Sequence, residues 1–521
     1  MDKGIIEKFA VWARTKLISD ISYRAGLIGI TRKEIRAPLL HSTPNLEFYD
    51  VGTTQYVELS GVAIKQRHML VAQIERRAEA TEYAEAFDSV VEEVAYTWFN
   101  RLIALRFMEV NDYLPSHVRV LSSTDPNKRE PDIVTFPFET DLEFSETERE
   151  QVIHLKEVNE LDALYRLLFL KQCNQLHGML PYLFEPTADY SELLLPISCT
   201  DPNGVVYRLV NDINEAYFDV KQGGQIQIIG WLYQFYNAQY KEQVFADLKK
   251  NIKINKDRLP AATQLFTPEW IVRYMVENSL GRLWLEGHPD PALQSKWCYF
   301  MTEAEQPKEV NIELSALCED YSKMAPQDIK VMDPCMGSGH ILVYAFDLLM
   351  DIYVNQGYTK RDATRLILKH NLYGLDVDQR AYQLAYFAVM MKARQYDRRI
   401  FSTSIEPHLY AIKESHGLTD EMIDFFAQAD AEMEHDLKAL SLLFENAREF
   451  GSLIHIEPVD FVAIERRIIQ LQARTQVMEN SYVLTQIVPL VEQARVMCDQ
   501  YDVVITNPPY LGHRGMGEKL S

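Results

Sequence analysis

Ile329-Lys330-Val331-Met332-Asp333-Pro334-Cys335-Met336-Gly337-Ser338-Gly339-His340 reads as a short strand, a tight turn of small residues and the start of a helix. The strand ends at Asp333, the helix begins near Gly339, and an apolar run over 341–350 continues it. Small residues let the backbone approach a ligand closely, and a helix start offers unpaired N–H groups. A lone Gly-x-Gly is weak evidence for a nucleotide site. Asp333-Pro334 ahead of it disfavours a pyrophosphate, which the carboxylate repels. A cationic ligand such as a sulfonium amino acid suits it better.

The next strand, Leu372-Tyr373-Gly374-Leu375-Asp376, also ends on an acid. In doubly wound folds an acid at the second strand tip accepts hydrogen bonds from ribose hydroxyls. Asp376 follows Asp333 by 43 positions, further than the roughly 20 of a dinucleotide fingerprint. An extra helix over 359–370 accounts for the distance. Asp378 competes for the role, but a solvated place at the start of the helix over 379–394 suits it better. Upstream, Thr267 is expected to cap a helix with Pro268 at its first position, and Trp270-Ile271-Tyr274-Met275 to begin that helix's apolar face. Alone, that is an ordinary helix start.

Tyr501-Asp502-Val503-Val504-Ile505-Thr506-Asn507-Pro508-Pro509-Tyr510 is the most diagnostic stretch. An apolar strand delivers Asn-Pro-Pro-Tyr to its carboxyl end, where open α/β sheets place ligands. These residue types suit transfer to a planar amino group, whose lone pair is delocalised and weakly nucleophilic. The Asn507 side-chain oxygen and the Pro508 carbonyl can each accept an N–H bond. Pro509 stiffens the turn, and Tyr510 offers a stacking face for an extruded base. Neither a strong base nor a metal is needed, so catalysis is mainly positioning and electrostatics.

Composition bounds the rest. With 521 residues the chain should hold more than one domain. Residues 1–255 read as a helical domain and 256–521 as the α/β part, with the texture changing at the basic run 249–256. Apolar spacing predicts helices over 92–108, 161–170 and 229–248. The aromatics of 231–236 read as core rather than a base-stacking surface. The polar, proline-punctuated stretch 122–148 reads as a surface loop. No uncharged apolar run reaches 18 residues, the N-terminus lacks a secretion signal, and the six cysteines form no CxxC pair. These features point to the cytoplasm, with no membrane partner and no metal. The formal charge of −22 is awkward for a DNA enzyme, because phosphates call for Lys and Arg. Either basic residues cluster on one face, as 249–256 could, or another region supplies most of the grip.

In order, Phe266-Thr267-Pro268, Asp333-Pro334-Cys335-Met336-Gly337-Ser338-Gly339, Gly374-Leu375-Asp376 and Asn507-Pro508-Pro509-Tyr510 resemble the motifs of gamma-class adenine-N6 DNA methyltransferases. The segments 95–102, 105–109 and 450–454 look like the PglX (BrxX) family of BREX phage-defence systems. The resemblance implies an S-adenosylmethionine-dependent, Rossmann-like α/β methyltransferase core behind a mostly helical N-terminal domain. It implies double-stranded DNA as substrate, with the target adenine flipped out, and other BREX proteins as partners. Phe266, Thr267 and Pro268 would border the methionine end of the cofactor. Asp333, Pro334, Cys335, Gly337, Ser338 and Gly339 would wrap the methionine moiety. Asp376 would hold the ribose and Val377 would lie against the adenine ring. Asn507, Pro508 and Tyr510 would take the target base.

Two departures stand out. Phe450-Gly451-Ser452-Leu453, at the expected spot, holds no carboxylate for the cofactor adenine, and Asn507 follows Asp333 by an unusually long 174 positions. The family's motif-bearing strand is the fourth of seven, so the last strands and the target-recognition domain are expected to be missing, the piece by itself being a cofactor-binding half. Glutamine-N5 and ribosomal RNA methyltransferases share Asn-Pro-Pro-Tyr, but the large helical domain and upstream Thr-Pro argue against them. Cytosine-N4 enzymes carry serine in place of Asn507. A non-catalytic assembly fragment is the alternative of a different class.

Overall fold

The computed structural model describes residues 2–53, 55–79, 81–185, 190–250, 267–473 and 478–509. They form two compact units, Met1–Gln239 and Tyr240–Ser521. The boundary expected at 255 lies outside the described residues, as does most of the basic run 249–256.

The first unit is built on helices. In α1 (Lys3–Leu27), Asp2 caps the N-terminus by accepting from the Gly4 and Ile5 N–H groups, and Ile6, Phe9, Ala10, Ala13, Leu17 and Ile21 form one buried stripe. Strands β1 (Leu46–Tyr49) and β2 (Val57–Ser60) pair antiparallel. The segment expected over 92–108 lies inside α2 (Tyr83–Val110), which is buried on every side along its second half. A helix surrounded in this way serves as the hub of a core. The expected 161–170 helix lies within α3 (Leu161–His177). The 229–248 segment is two helices, with α4 (Gln227–Tyr236) closing at Asn237, which returns its amide to the Tyr233 carbonyl. The aromatic stripe is core, as read: Tyr236 is fully buried, 5.3 Å from Tyr96 and 4.4 Å from Phe99 between ring centroids.

The stretch 122–148 is not the surface loop its composition implied. Ile133 and Val134 are buried, and two short helical turns form, Asp132–Thr135 and Pro137–Glu139. A buried ionic knot holds the approach to it. Arg106 donates to Glu109 at 2.7 Å, Ser122 at 3.0 Å and Glu215 at 2.9 Å. Glu109 also accepts from the Val120 and Leu121 N–H groups. A charge pair this deep persists because Glu109 takes further hydrogen bonds from the backbone, although Arg106 Nε meets no partner among the described residues.

The second unit takes in most of the helix Ala238–Leu248, then α5 (Glu269–Glu277), and contains a parallel sheet. Its strands are β3 (Val331–Asp333), β4 (Leu372–Asp376), β5 (His408–Ala411) and β6 (Val503–Val504), in the order β5-β4-β3-β6. Helix α6 (His340–Asn355) connects β3 towards β4, and α7 (Gln379–Tyr396) connects β4 to β5. The extra helix is there, as Lys360–Leu366 followed by a π-turn at Ile367–Asn371. From β3 the chain steps outwards to β4 and β5, and β6 then returns to the other side of β3. That reversal creates a topological switch point at β3.

Helical insertion explains the 174 positions between Asp333 and Asn507. After β5 come α8 (Asp420–Ala427), α9 (Ala431–Leu443), α10 (Phe461–Gln472) and α11 (Met478–Cys498). Ile423, Phe426, Leu437, Ile464 and Ile487 give them a core of their own. Leu440, Leu490 and Ala494 pack on the sheet against Met332, Tyr373 and Leu375.

Replacing Arg106 by Ala strands a buried Glu109, which is fully desolvated. The loss of folding stability is expected at about 3–5 kcal/mol, measured by urea unfolding.

Candidate functional site at the carboxyl end of the parallel sheet

Parallel register puts the two chemical motifs side by side. Val331 pairs with Val503 and Met332 with Val504, and the Ile505 N–H donates to the Met332 carbonyl at 2.9 Å. Asp333 and Val504 are therefore the last residues of adjacent strands, with Ile505 still bonded to β3. The loops that follow, 334–339 and 506–509, leave the same edge. Lys330 anchors the opposite end, its N–H donating to Asp502 and its ammonium pairing with Asp499 at 2.7 Å.

The glycine turn is folded onto β4. The Met336 N–H donates to the Leu375 carbonyl at 3.0 Å, and the Gly337 N–H to Asp376 Oδ2 at 2.8 Å. Gly339, at φ +78°, is required twice over. Its conformation is left-handed, and a Cβ there would lie 2.9 Å from the Ala385 backbone of α7. No side chain caps α6 among the described residues, so its first N–H groups face the turn.

Asp333 and Asp376 supply the charge. Asp333 is fully buried and accepts from the Cys335 N–H at 3.1 Å. The Thr506 side chain, on the neighbouring loop, also bonds the carboxylate and works against the effect of burial. Burial raises its pKa to about 7. Asp376, partly exposed, accepts from the Gly337 and Asp378 N–H groups and is also raised to about 7, chiefly by burial. Asp378 is buried and caps α7 through the Arg380 N–H, a structural use rather than the solvated one expected. A buried carboxylate is matched by a cationic or N–H-bearing group.

Pro334, Cys335, Gly337 and Ser338 are half-buried around the turn, and burial pushes the Cys335 thiol up to about 11. Val377 is half-buried beside Gly451, and Ser452 approaches the Cys335 sulfur at 4.0 Å. The 450–453 segment thus reaches the site without a carboxylate. Beyond β5, Lys413 exchanges backbone hydrogen bonds with the buried Gln493 amide. Sequence reasoning missed His340, Ser452 and Gln493. His340 carried a signal, since it directly follows the glycine turn, and so did Ser452, which lies in the 450–454 segment.

Thr267 is not a helix cap. Pro268, extended at ψ 141°, holds that place, and Glu269 begins α5. The Thr267 hydroxyl instead accepts from Asn507 Nδ2 at 3.1 Å, across 240 positions of chain. The helix also turns a different face inward from the one expected. Val272 and Val276 are buried, while Trp270 and Tyr274 are exposed. Asn507 is half-buried, and Pro508 and Pro509 are exposed. Phe266 and Tyr510 lie outside the described residues. Among the described residues, no group of three or more His, Cys, Asp or Glu could hold a metal ion, and no helix is long and apolar enough to cross a membrane.

Residues 306–424 match the family of N-6 DNA methylases, and residues 370–521 match the family of Eco57I restriction-modification methylases. The whole chain is 40% identical to the adenine-specific methyltransferase PglX of Lacticaseibacillus casei (strain Zhang), spanning 44% of that protein. Over 84% of its length it is 37% identical to the adenine-specific methyltransferase BrxX of Escherichia coli O9:H4 (strain HS), spanning 37% of it. The chain thus covers less than half the length of these two relatives.

Because burial raises the Asp333 pKa from about 3.8 to about 7, the ionised form destabilises the ligand-free fold as pH rises between those values. Asp333→Asn removes that cost. Its melting temperature should exceed that of the unmodified chain by a margin that grows from pH 5 to pH 8, reaching about 2–8 °C. A margin independent of pH would show that the carboxylate is not the source.

Proposed function

Starting from that likeness, we propose that the chain is the S-adenosylmethionine-binding part of an adenine-N6 DNA methyltransferase of the BREX type. The second unit would have the Rossmann-like architecture of such enzymes. One observation carries the reading: β3 and β6, adjacent and parallel, deliver the Asp333 glycine turn and Asn507-Pro508-Pro509 to one edge of the sheet.

The cofactor fits this edge. Its ammonium group suits the buried Asp333 carboxylate, its carboxylate the uncapped start of α6, and its ribose hydroxyls Asp376. Pro334, Cys335, Gly337, Ser338 and Gly339 would line the methionine end. Val377 and Ser452 would border the adenine ring. When bound, S-adenosylmethionine supplies a methyl group on a positively charged sulfur. The chain's own share is to orient the amine. Asn507 Oδ1 and the Pro508 carbonyl would accept its two N–H groups, drawing the nitrogen lone pair out of ring conjugation and towards the methyl group. Tyr510 would stack on the flipped base. The proton shed after transfer needs no dedicated base, since the methylated nitrogen is strongly acidic. Double-stranded DNA would be the substrate, and the other BREX proteins the partners. The charge of −22 favours a second reading, a cofactor-binding scaffold within a defence complex.

Calorimetry with S-adenosylmethionine should show 1:1 binding that strengthens from pH 6 to pH 8. Asp376 ionises near pH 7, and its charged form is the better acceptor for ribose hydroxyls. Asp376→Ala should weaken binding by at least about tenfold, the value of one charge-assisted hydrogen bond. Absence of binding by the unmodified chain would refute the cofactor site.

Labelled methyl transfer to unmodified DNA by a form of the protein extended beyond Ser521, followed by nucleoside analysis, should yield N6-methyladenine, while this chain alone should bind the cofactor without transferring. Asn507→Ala should reduce the rate about 100-fold or more while leaving cofactor affinity in place. Cofactor binding by the extended form without transfer to any DNA would favour the scaffold.

A further inference from the structure

We infer that Thr267 is a positioning residue for Asn507, holding its amide so that Oδ1 faces the incoming amine; this rests on the amine-methylation reading above. The resemblance assigns Thr267 to the methionine end of the cofactor, a different task with different consequences.

An asparagine amide is nearly symmetric in shape but opposite at its two ends. One end offers two N–H donors and the other only acceptor lone pairs. Its last torsion is broad, so neighbours decide which end faces the substrate. Donors turned towards an amino group would meet its N–H groups head-on. The Thr267 hydroxyl, able to serve either end, accepts from Nδ2 at 3.1 Å, and the acceptor end is the one left for the amine.

Three features fit Thr267 to hold it. Its hydroxyl is spared the capping duty that its sequence position implied, because Pro268 occupies the cap. At 9% exposure it is shielded from water that would compete for the amide. Its backbone lies against His340, the first residue of α6, which is itself 8% exposed. Burial keeps that imidazole uncharged at neutral pH, its pKa lowered to about 4. Thr267 therefore stands between the helix that follows the glycine turn and the residue that would receive the base. A shift of the turn would reach Asn507 through it.

Thr267→Val keeps the shape and removes the hydroxyl, and Thr267→Ser restores the hydroxyl. In a form of the protein extended beyond Ser521 that transfers methyl groups, Thr267→Val should lower the turnover number about 10- to 100-fold, the scale of a misplaced reacting group. The Kd for S-adenosylmethionine should stay within about threefold, and Thr267→Ser should recover most of the rate. A melting-temperature cycle needs no activity. Thr267→Val and Asn507→Ala should each lower Tm, and the double variant should fall short of their sum. Additive Tm losses would overturn the inference, as would a weakened Kd with turnover retained, which is the signature of a cofactor contact. Coupled Tm losses with no methyl transfer by the extended form would support the Thr267–Asn507 link and count instead against the proposed reaction.

Discussion

The pairing of Val331-Met332 with Val503-Val504 is the constraint on which the site depends. It is short, two residues on the β6 side, yet it sets the register of everything beyond it. Strand side chains alternate between faces, so a one-residue slip would exchange the buried Val503 with the exposed Val504. The Lys330 contacts to Asp499 and Asp502 clamp this register at the amino end. At the carboxyl end the Thr267–Asn507 hydrogen bond ties in a third segment. Residues from three distant parts of the chain thereby share one small region.

Electrostatics gives that region its character. Across the chain, acidic side chains outnumber basic ones by 22, and the two acids that matter most sit on neighbouring strand tips with their pKa values raised by burial. Desolvated carboxylates are poor company for phosphate and good company for a cation. The same arrangement that makes the fold costly to hold in its ionised form would make it receptive to a positively charged ligand. Stability is given up locally where binding needs it, a common pattern in preorganised sites.

Supporting structure elsewhere follows ordinary packing rules. The insertion 420–498 carries its own apolar core and also covers one face of the sheet, so it lengthens the chain without opening the site. Buried charges in the first unit are tied into closed sets of partners. Arg106, Glu109, Ser122 and Glu215 form one such set, and Arg67, 3.8 Å over the Tyr49 ring and bonded to two backbone carbonyls, belongs to another. These charged side chains are tolerated in the interior because most of their hydrogen-bonding groups meet a partner at short range.

The sequence by itself determined the local elements and the motif chemistry. The strand ending at Asp333, the helix after Gly339, the acid at Asp376 and the strand before Asn507 all depend on patterns within a few residues, and all are present. The helical core of the first unit was equally legible, because apolar periodicity is a local signal. Only the tertiary structure decided the partners. A threonine before a proline reads as a cap, and nothing nearby in sequence announces that its hydroxyl serves Asn507, 240 positions away. Likewise the 122–148 stretch is polar enough to read as surface, yet it carries Ile133 and Val134 into the interior. Asp378 and Asp376 stand two residues apart with the same side chain. One caps a helix and the other accepts from the glycine turn, a division of labour set by where the backbone N–H groups fall in space. Hydrogen-bond partnership and burial are properties of folded geometry, and a linear pattern records only which residues are able to take part in them.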